Sequence, residues 1–419
     1  MKKTFAAAVA ALIGTVQAKT VRVADFGYDA ADASACVRAA VESDAEELVF
    51  DTAHSPWIVE PLRFVDVSNK VFRFERSVEV RAKSGAFLAK NACLMVFVGG
   101  SDVSLIGPGA TFRMEREAYT NAPYAKSEHR HCLMIRGVRN FRVEGLSFVE
   151  SGGDGILVGG RFVGKRFQTA ENVRLDRVTC DRNFRQGMSV ISASNLVVTG
   201  CVFSNTRGTP PQSGVDLEPN QPHETLSRIV FRDCRFENNA GCGLEFYIGH
   251  LNSKSVPVTT LLEDCRLVGG AYGFEYQQNR KTFDDLPAGG KVILRRCRIS
   301  DSRSSGVLVI DKPATSARLT FEDVVVSDCC RKAKKAADIA VYNRLPDTAP
   351  ADGFSFRDVT IVRPEERPWL SAVQTNCTGR LATNVLGRIT VKTGDRTELV
   401  EPLEAWGGTD GLKTKDRYR

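Results

Sequence analysis

The sequence predicts an all-β chain that folds as a right-handed parallel β-helix. Three observations support this fold. A glycine followed by alternating apolar and polar residues recurs at Gly155, Gly187, Gly214, Gly243, Gly273 and Gly306, with spacings of 32, 27, 29, 30 and 33 residues. A period of this length is typical of a solenoid. Each repeat also contains three strand-rich stretches, as the three-sided coil of a β-helix requires.

The first strand of each coil follows the recurring glycine. The residues one and three positions after each glycine are apolar in nearly every repeat, and this period of two predicts one buried face. They are Ile156/Val158, Met188/Val190, Val215/Leu217, Leu244/Phe246, Phe274/Tyr276 and Val307/Val309. The residues between them should then face outward. Counting in the same register places His131, Asp154 and Gln186 in a second outward column, just before the glycines.

The second strand of four coils carries a cysteine at one fixed position, namely Cys201, Cys234, Cys265 and Cys297. Valine occupies the same place in the flanking coils, which indicates a buried apolar stack of free thiols. A zinc site is disfavoured because neither a CxxC pair nor a nearby histidine accompanies these cysteines. The sequence leaves disulfides between neighbouring coils open.

The chain is expected to form one domain between short terminal segments. Residues 1–18 have the basic start, apolar stretch and small-residue end of a secretory signal peptide, although a membrane anchor is the alternative. Residues 19–395 should form the β-helix, with residues 32–47 as an amphipathic helix over its first coil. The polar segment 396–419 is expected to be a loose tail or cap. This arrangement predicts a secreted or periplasmic protein with no membrane contact after removal of the leader.

The entry segment VADFGYDAADASACVRAAV resembles that of the pectate-lyase-like superfamily. Members begin with a strand, an FG turn, an aspartate-rich link and a capping helix, and Val23, Phe26 and Gly27 match that outline. The resemblance implies a β-helix of the kind found in bacterial polysaccharide-degrading proteins. The catalytic motifs of polygalacturonases are incomplete here: Asn205-Thr206 lacks the following aspartate and Gly249-His250 lacks the second glycine. The resemblance is therefore to a type other than the standard polygalacturonase.

Carboxylates occupy the outward column of three successive coils. Asp216, Glu245 and Glu275 share this column, and Glu218 lies two positions after Asp216. Solenoid folding does not need like charges on adjacent strands, which repel each other. Glycoside hydrolysis needs one protonated and one ionised carboxyl group, and crowding separates the pKa values of such a pair. We therefore predict that these four residues are catalytic, a solvated polar face being the alternative.

Other polar residues are predicted to bind substrate on the same face. Arginine forks suit carboxylate or sulfate groups, histidines can transfer protons, and tyrosine rings stack on sugars. Each could instead be a structural residue or a surface ion pair. These candidates are Asp154, Arg182, Arg185, Gln186, His131, Tyr247, His250 and Gln277. Three long loops, after Glu218, Tyr247 and Gln277, leave one edge of this face and are expected to form a binding side.

The sequence therefore predicts an exported glycoside hydrolase that acts on a polysaccharide or oligosaccharide and needs no metal or other cofactor. A first alternative is a polysaccharide lyase, with Ca²⁺ on Asp216, Glu218 and Asn220 and with Arg185 or a lysine as base. A second alternative is a glycan-binding solenoid without catalysis. The net charge of +7 is small and the central face acidic, which disfavours a nucleic-acid partner and weakly favours an anionic glycan.

Overall fold

The computed structural model describes residues 18–278, 286–313, 315–333, 335–343, 352–374, 382–385 and 388–400. The strands are β1 (Thr20–Arg22), β2 (Glu47–Phe50), β3 (Trp57–Val59), β4 (Leu62–Val65), β5 (Lys70–Phe74), β6 (Glu79–Ala82), β7 (Met95–Val98), β8 (Ser101–Ile106), β9 (Thr111–Arg113), β10 (Leu133–Arg136), β11 (Arg139–Glu144), β12 (Ser147–Val149), β13 (Ile156–Gly159), β14 (Arg161–Val163), β15 (Arg166–Gln168), β16 (Ala170–Asp176), β17 (Thr179–Asp181), β18 (Met188–Val190), β19 (Ala193–Thr199), β20 (Val202–Ser204), β21 (Val215–Leu217), β22 (Leu226–Arg232), β23 (Arg235–Glu237), β24 (Cys242–Tyr247), β25 (Val258–Glu263), β26 (Arg266–Val268), β27 (Tyr272–Gln277), β28 (Gly290–Arg295), β29 (Arg298–Ser300), β30 (Val307–Ile310), β31 (Arg318–Glu322), β32 (Val325–Ser327), β33 (Ile339–Asn343), β34 (Asp352–Arg357), β35 (Val359–Arg363), β36 (Leu370–Gln374), β37 (Ala382–Val385), β38 (Ile389–Thr393) and β39 (Arg396–Val400).

Nearly all of these strands stack into three long sheets. Two sheets have 13 strands and one has 11, within the described ranges, and successive strands of a sheet come from successive coils. Pairing is parallel except in two hairpins, β14–β15 and β38–β39, and in two isolated bridges. The predicted solenoid with three strands per coil is confirmed. The 11-stranded sheet, which runs from β4 to β36, contains the first strand of every predicted repeat.

The core is the column of side chains that point into the coil. Phe246 and Phe274 lie on adjacent coils with ring centroids 5.8 Å apart, and Tyr276 is fully buried, as the register predicted. The four stacked cysteines are also buried and free, so the open question of disulfides is answered in favour of thiols. Their position between apolar neighbours makes them small core residues.

The N-terminal coil is covered by a helix that is shorter than the predicted 32–47. Helix α1 spans Ser34–Glu42, follows a 3-10 turn at Val23–Phe26, and buries Val37, Ala40 and Val41. It ends at Ser43 because residues 47–50 are needed for β2, which pairs with β1. Two further 3-10 turns are Thr52–His54 and Ala118–Thr120.

The predicted terminal segments are only partly described. The tail does not begin at residue 396, because Arg396–Val400 forms β39 and pairs antiparallel with β38. The rest of that segment, residues 401–419, lies outside the described residues, as does all of the predicted leader except Ala18. Along the described part of the chain, no helix has the length and apolar character to cross a membrane.

Asparagines tie neighbouring coils together at the turns. The backbone N–H of Thr206 donates to Asn239 Oδ1 at 3.1 Å, and Asn239 Nδ2 donates to the carbonyl of Phe203 at 3.0 Å. Asn183 makes the equivalent pair of bonds two coils earlier. Asn238 has a φ of 55°, a left-handed conformation that asparagine tolerates. Asn239 thus satisfies two buried backbone groups.

Two loop systems flank the 11-stranded sheet. The residues after β21, β24 and β27 leave the edge shared with the first 13-stranded sheet, as predicted, and so does the hairpin β14–β15. Residues 279–285, which include Asp284-Asp285, lie outside the described range. At the opposite edge, residues 114–132 form a long connection between β9 and β10, whereas only residues 150–155 connect β12 to β13. The sequence interpretation did not single out this second loop.

Candidate functional site

The acidic column is formed on the outer face of the 11-stranded sheet. Strand pairing aligns Asp216 with Glu245 and Glu245 with Glu275. The column continues to Ser189 on one side and Leu308 on the other. The predicted register is therefore confirmed, and the carboxylates are confined to three coils. We call Asp216, Glu245 and Glu275 the acidic ladder.

The acidic ladder is buried, although the sequence predicted carboxylates that face outward and gave a solvated polar face as the alternative. Asp216 is 1% exposed, and Glu245 and Glu275 are each 6% exposed. Longer side chains from the flanking columns lie across it, because Gln186 Nε2 donates to Asp216 Oδ2 at 2.8 Å and Gln277 Nε2 donates to both glutamates. Sequence periodicity gives only the direction of a side chain, whereas its exposure depends on these covering groups.

Burial determines the protonation of the ladder. Burial, with a further contribution from Glu275, raises the pKa of Glu245 to about 8. Burial followed by the proximity of Glu245 raises the pKa of Asp216 well above its usual value, and burial raises the pKa of Glu275. Removing a carboxylate from water disfavours its charged form, and neighbouring like charges add to that cost. Glu245 therefore holds its proton at neutral pH, as a general acid requires.

Arg185 joins the ladder to the neighbouring columns. Its guanidinium lies 2.7 Å from Glu218 Oε2 and 3.7 Å from Asp154 Oδ2, and its NH1 donates to the Ser189 hydroxyl at 3.4 Å. Burial alone lowers the pKa of Arg185, yet the Asp154 and Glu218 carboxylates outweigh it and raise the pKa. Glu218 is the most accessible of the four acidic residues, since its side chain is 24% exposed.

The second predicted column, His131, Asp154 and Gln186, is also buried. His131 Nδ1 accepts a hydrogen bond of 2.9 Å from the backbone N–H of Asp154, which assigns the proton of the neutral ring to Nε2. Burial lowers the pKa of His131 to about 3, so the ring is neutral. Burial also raises the pKa of Asp154 to about 7, although Arg185 opposes the shift. Asp154 therefore borders the ladder through Arg185 and lies outside its column.

The remaining predicted site residues are distributed around this centre. Tyr247 and Gln277 share the column of Glu218, and the His250 ring lies 5.9 Å from that of Tyr247. Arg182 is not brought to the ladder. Its guanidinium lies 3.1 Å from both Glu150 and Asp181, next to the strands of another sheet.

Cys242 belongs to the site although the sequence interpretation passed over it. Its thiol donates to Glu275 Oε2 at 2.7 Å, and burial together with Glu275 raises its pKa well above the usual value. The ligand atoms of Cys242, Glu245 and Glu275 all lie within 4.8 Å of one another. On losing their protons, these groups would become the thiolate and carboxylate donor set that a borderline divalent ion such as Zn²⁺ accepts. Cys242 stands two residues before the inward Leu244, as Gln186 stands two residues before the inward Met188. This shared position was the signal in the sequence that could have identified Cys242 as a site residue.

Each of the three residues expected to hold calcium in a lyase has a partner within the protein. Asp216 bonds to Gln186, Glu218 pairs with Arg185, and Asn220 Nδ2 donates to the backbone carbonyl of Glu218 at 3.3 Å. Each residue is thus engaged by the protein itself.

A cavity of about 830 Å³ lies beside the ladder, at the edge formed by the loop 114–132. Glu128 in its wall lies 4.0 Å from Arg185, and the ring of His129 lies 6.3 Å from that of His131. Arg185, which pairs with Glu218, therefore lies between the cavity and the ladder, and the cavity is large enough for a ligand of several hundred daltons.

Comparison with known proteins supports the fold. The family model described as the right-handed beta helix region matches residues 121–285. This chain is a right-handed parallel β-helix protein. That agrees with the resemblance to the pectate-lyase-like superfamily. No curated protein sequence matches the chain.

Three solved structures of similar fold differ in what they do. The A-module of mannuronan C-5 epimerase AlgE4 from Azotobacter vinelandii has a TM-score of 0.55 at 15% identity, over 89% of this chain and 96% of its own. A family 28 exopolygalacturonase from Yersinia enterocolitica has a TM-score of 0.61 at 11% identity, over 91% and 79%. The surface adhesin PfbA of Streptococcus pneumoniae has a TM-score of 0.52 at 10% identity, over 90% and 91%. At these identities the similarity concerns the fold.

Proposed function

We propose that this β-helix protein is an exported carbohydrate-active enzyme that hydrolyses a polysaccharide or oligosaccharide at the acidic ladder. The observation that carries the proposal is the contrast between neighbouring carboxyl groups. Glu245 has a pKa of about 8, whereas Glu218 forms an ion pair with Arg185. A protonated carboxyl group beside an ionised one is the pair that glycoside hydrolysis needs.

The two groups would divide the reaction between them. Glu245 would donate its proton to the glycosidic oxygen, because its hydrogen bonds with Ser213 and Gln277 orient the carboxyl group. Glu218 would act as the base or nucleophile, since it is the more accessible carboxylate. Burial, with the proximity of Glu275, would keep Glu245 protonated. Tyr247 and Gln277, which are only partly buried, would hold the sugar.

The lyase alternative is weaker on physical grounds. Proton abstraction next to a uronate carboxylate requires a base that releases its own proton near neutral pH. The raised pKa of Arg185 runs in the wrong direction for that task. Uronate polymers remain the first substrates to try, because two proteins of similar fold are a mannuronan epimerase and an exopolygalacturonase.

The test is product analysis on a panel of anionic and neutral polysaccharides. The protein without residues 1–18 should release new reducing ends, with no unsaturated uronate absorbance. Glu245→Gln should lose activity by about 100-fold or more, as expected for removal of a general acid. The matched control is Glu237→Gln, the same isosteric change on β23, where Glu237 pairs with Arg235 away from the ladder. Equal activity of both variants would contradict the assignment. Unsaturated products would support the lyase, and binding without cleavage would support the glycan-binding solenoid.

A further inference from the structure

The cavity beside the ladder has a rigid aromatic wall. The rings of Tyr119 and Tyr124 meet edge to face with centroids 4.9 Å apart, and the Tyr124 hydroxyl accepts a 2.9 Å hydrogen bond from the backbone N–H of Gly85. On the opposite wall, Phe184 packs so closely on Gly208 that a Cβ there would lie 2.1 Å from its ring. Aromatic rings held in this way can stack on sugars with little loss of side-chain entropy.

A buried arginine fixes the loop that forms the cavity. Arg130 is fully buried, and its guanidinium donates to the backbone carbonyls of Phe87, Leu88 and Ala125. The same group lies 5.4 Å from the centroid of the Tyr119 ring and 5.9 Å from that of Tyr124. Loop and wall are therefore preorganised, which lowers the entropic cost of binding a ligand there.

Two lysines give the cavity its charge preference. Lys90 and Lys126 line the cavity and are exposed, and neither forms a salt bridge within the described parts of the chain. Ser127 between them donates to the backbone carbonyl of Lys90, which holds the two segments together. Exposed unpaired ammonium groups at a concave site attract anions, since the walls of a cleft concentrate their field.

We propose that this cavity binds a stretch of two or more uronic acid residues of an anionic glycan, whose next residue reaches Glu218 and the acidic ladder. This inference rests on the proposed function, because the cavity would bind one part of the glycan that the ladder cleaves. Tyr124 and Phe184 would stack on the sugar rings, and Lys90 and Lys126 would pair with the uronate carboxylates. Glu128 in the cavity wall lies 4.0 Å from Arg185, and Arg185 pairs with Glu218, so these residues lie between the cavity and the ladder.

The test measures binding separately from cleavage. Calorimetric titrations would use the Glu245→Gln variant with hexamers of galacturonate and mannuronate, and with a neutral xylose hexamer, at low salt. Lys90→Ala/Lys126→Ala should raise the Kd for at least one uronate hexamer by about tenfold or more, because two charge-assisted contacts are lost. The matched control, Lys291→Ala/Lys332→Ala, removes two exposed lysines outside the cavity and should change that Kd by less than about twofold.

The outcomes separate the two proposals. If the cavity and control variants weaken binding equally, net charge and not the cavity governs affinity, and the inference is wrong. It is also wrong if neither uronate hexamer binds, or if the neutral hexamer binds as tightly. Cavity-dependent binding by a protein that cleaves nothing would leave the inference standing and overturn the hydrolase. Cleavage that is unchanged in the variant without the two cavity lysines would leave the hydrolase standing and overturn the inference.

Discussion

Replacing Glu245 by glutamine should destabilise the protein at low pH and stabilise it at high pH. The folded protein holds a proton on Glu245 up to a pKa of about 8, whereas the unfolded chain releases it near the usual 4.5. Folding stability from this group is therefore fully present below pH 4.5 and is lost as the pH rises towards 8. Glutamine is neutral throughout, so the variant escapes that loss.

The size of the effect follows from the shift. At about 1.4 kcal/mol per pKa unit, the shift sets an upper limit of about 5 kcal/mol on the loss. Asp216 and Glu275 titrate together with Glu245, so we expect about 2–4 kcal/mol from this residue. The amide of glutamine replaces the protonated carboxyl group in the hydrogen bonds with Ser213 and Gln277 but fits them less well, at a cost of about 1 kcal/mol. The variant should thus be about 1 kcal/mol less stable than wild type at pH 4.5 and about 1–3 kcal/mol more stable at pH 9.

Urea unfolding followed by far-UV circular dichroism, from pH 4.5 to 9, measures this difference. The control is Glu237→Gln, whose side chain is a quarter exposed and pairs with Arg235. Its difference from wild type should stay within about 1 kcal/mol and keep its sign. Parallel curves for wild type and Glu245→Gln would refute the reasoning, since they would mean that Glu245 is ionised in the folded protein at neutral pH.

Three further predictions concern the framework around the site. Gly187→Ala should prevent or strongly impair folding, because the new Cβ would lie 2.4 Å from the carbonyl oxygen of Gly214 on the next coil. Its control, Gly159→Ala, has 3.6 Å of room and should fold with a melting temperature similar to that of the wild type. Asn239→Ala should lower the free energy of unfolding by about 2–4 kcal/mol in urea titrations, since two buried backbone groups lose their partner. Arg185→Ala should lower the free energy of unfolding by about 3–5 kcal/mol, because Asp154 and Glu218 lose their counter-charge. Arg185→Lys keeps the charge and should lower it by less, so equal losses for the two variants would contradict this account.

Much of the fold could be predicted from the sequence because the β-helix repeats one local rule. A glycine and a period of two fix which residues point inward, and each coil pairs with the next in a single register. This is why the alignment of Asp216, Glu245 and Glu275 was predictable. The cysteine stack was predictable for the same reason, since valine replaces cysteine at the same position in neighbouring coils.

The site itself was only partly predictable, because it depends on groups that do not repeat. The burial of the ladder comes from Gln186 and Gln277, which reach it from flanking columns. The central role of Arg185 depends on its rotamer, which no pattern specifies. The loop 114–132 interrupts the repeat, and its cavity is formed by packing against residues distant in sequence. Helix α1 was predicted too long because helical spacing of apolar residues does not show where β2 must begin.

The central claim is hydrolysis at the acidic ladder, and the most direct measurement is mass spectrometry of products formed in heavy-oxygen water. Hydrolysis adds one oxygen from water across the cleaved bond, so one product should carry a single heavy oxygen atom at its new reducing end. The label should disappear with Glu245→Gln and persist with Glu237→Gln. Unlabelled products, labelled products that persist without Glu245, or no cleavage of any polysaccharide in the panel would contradict the account.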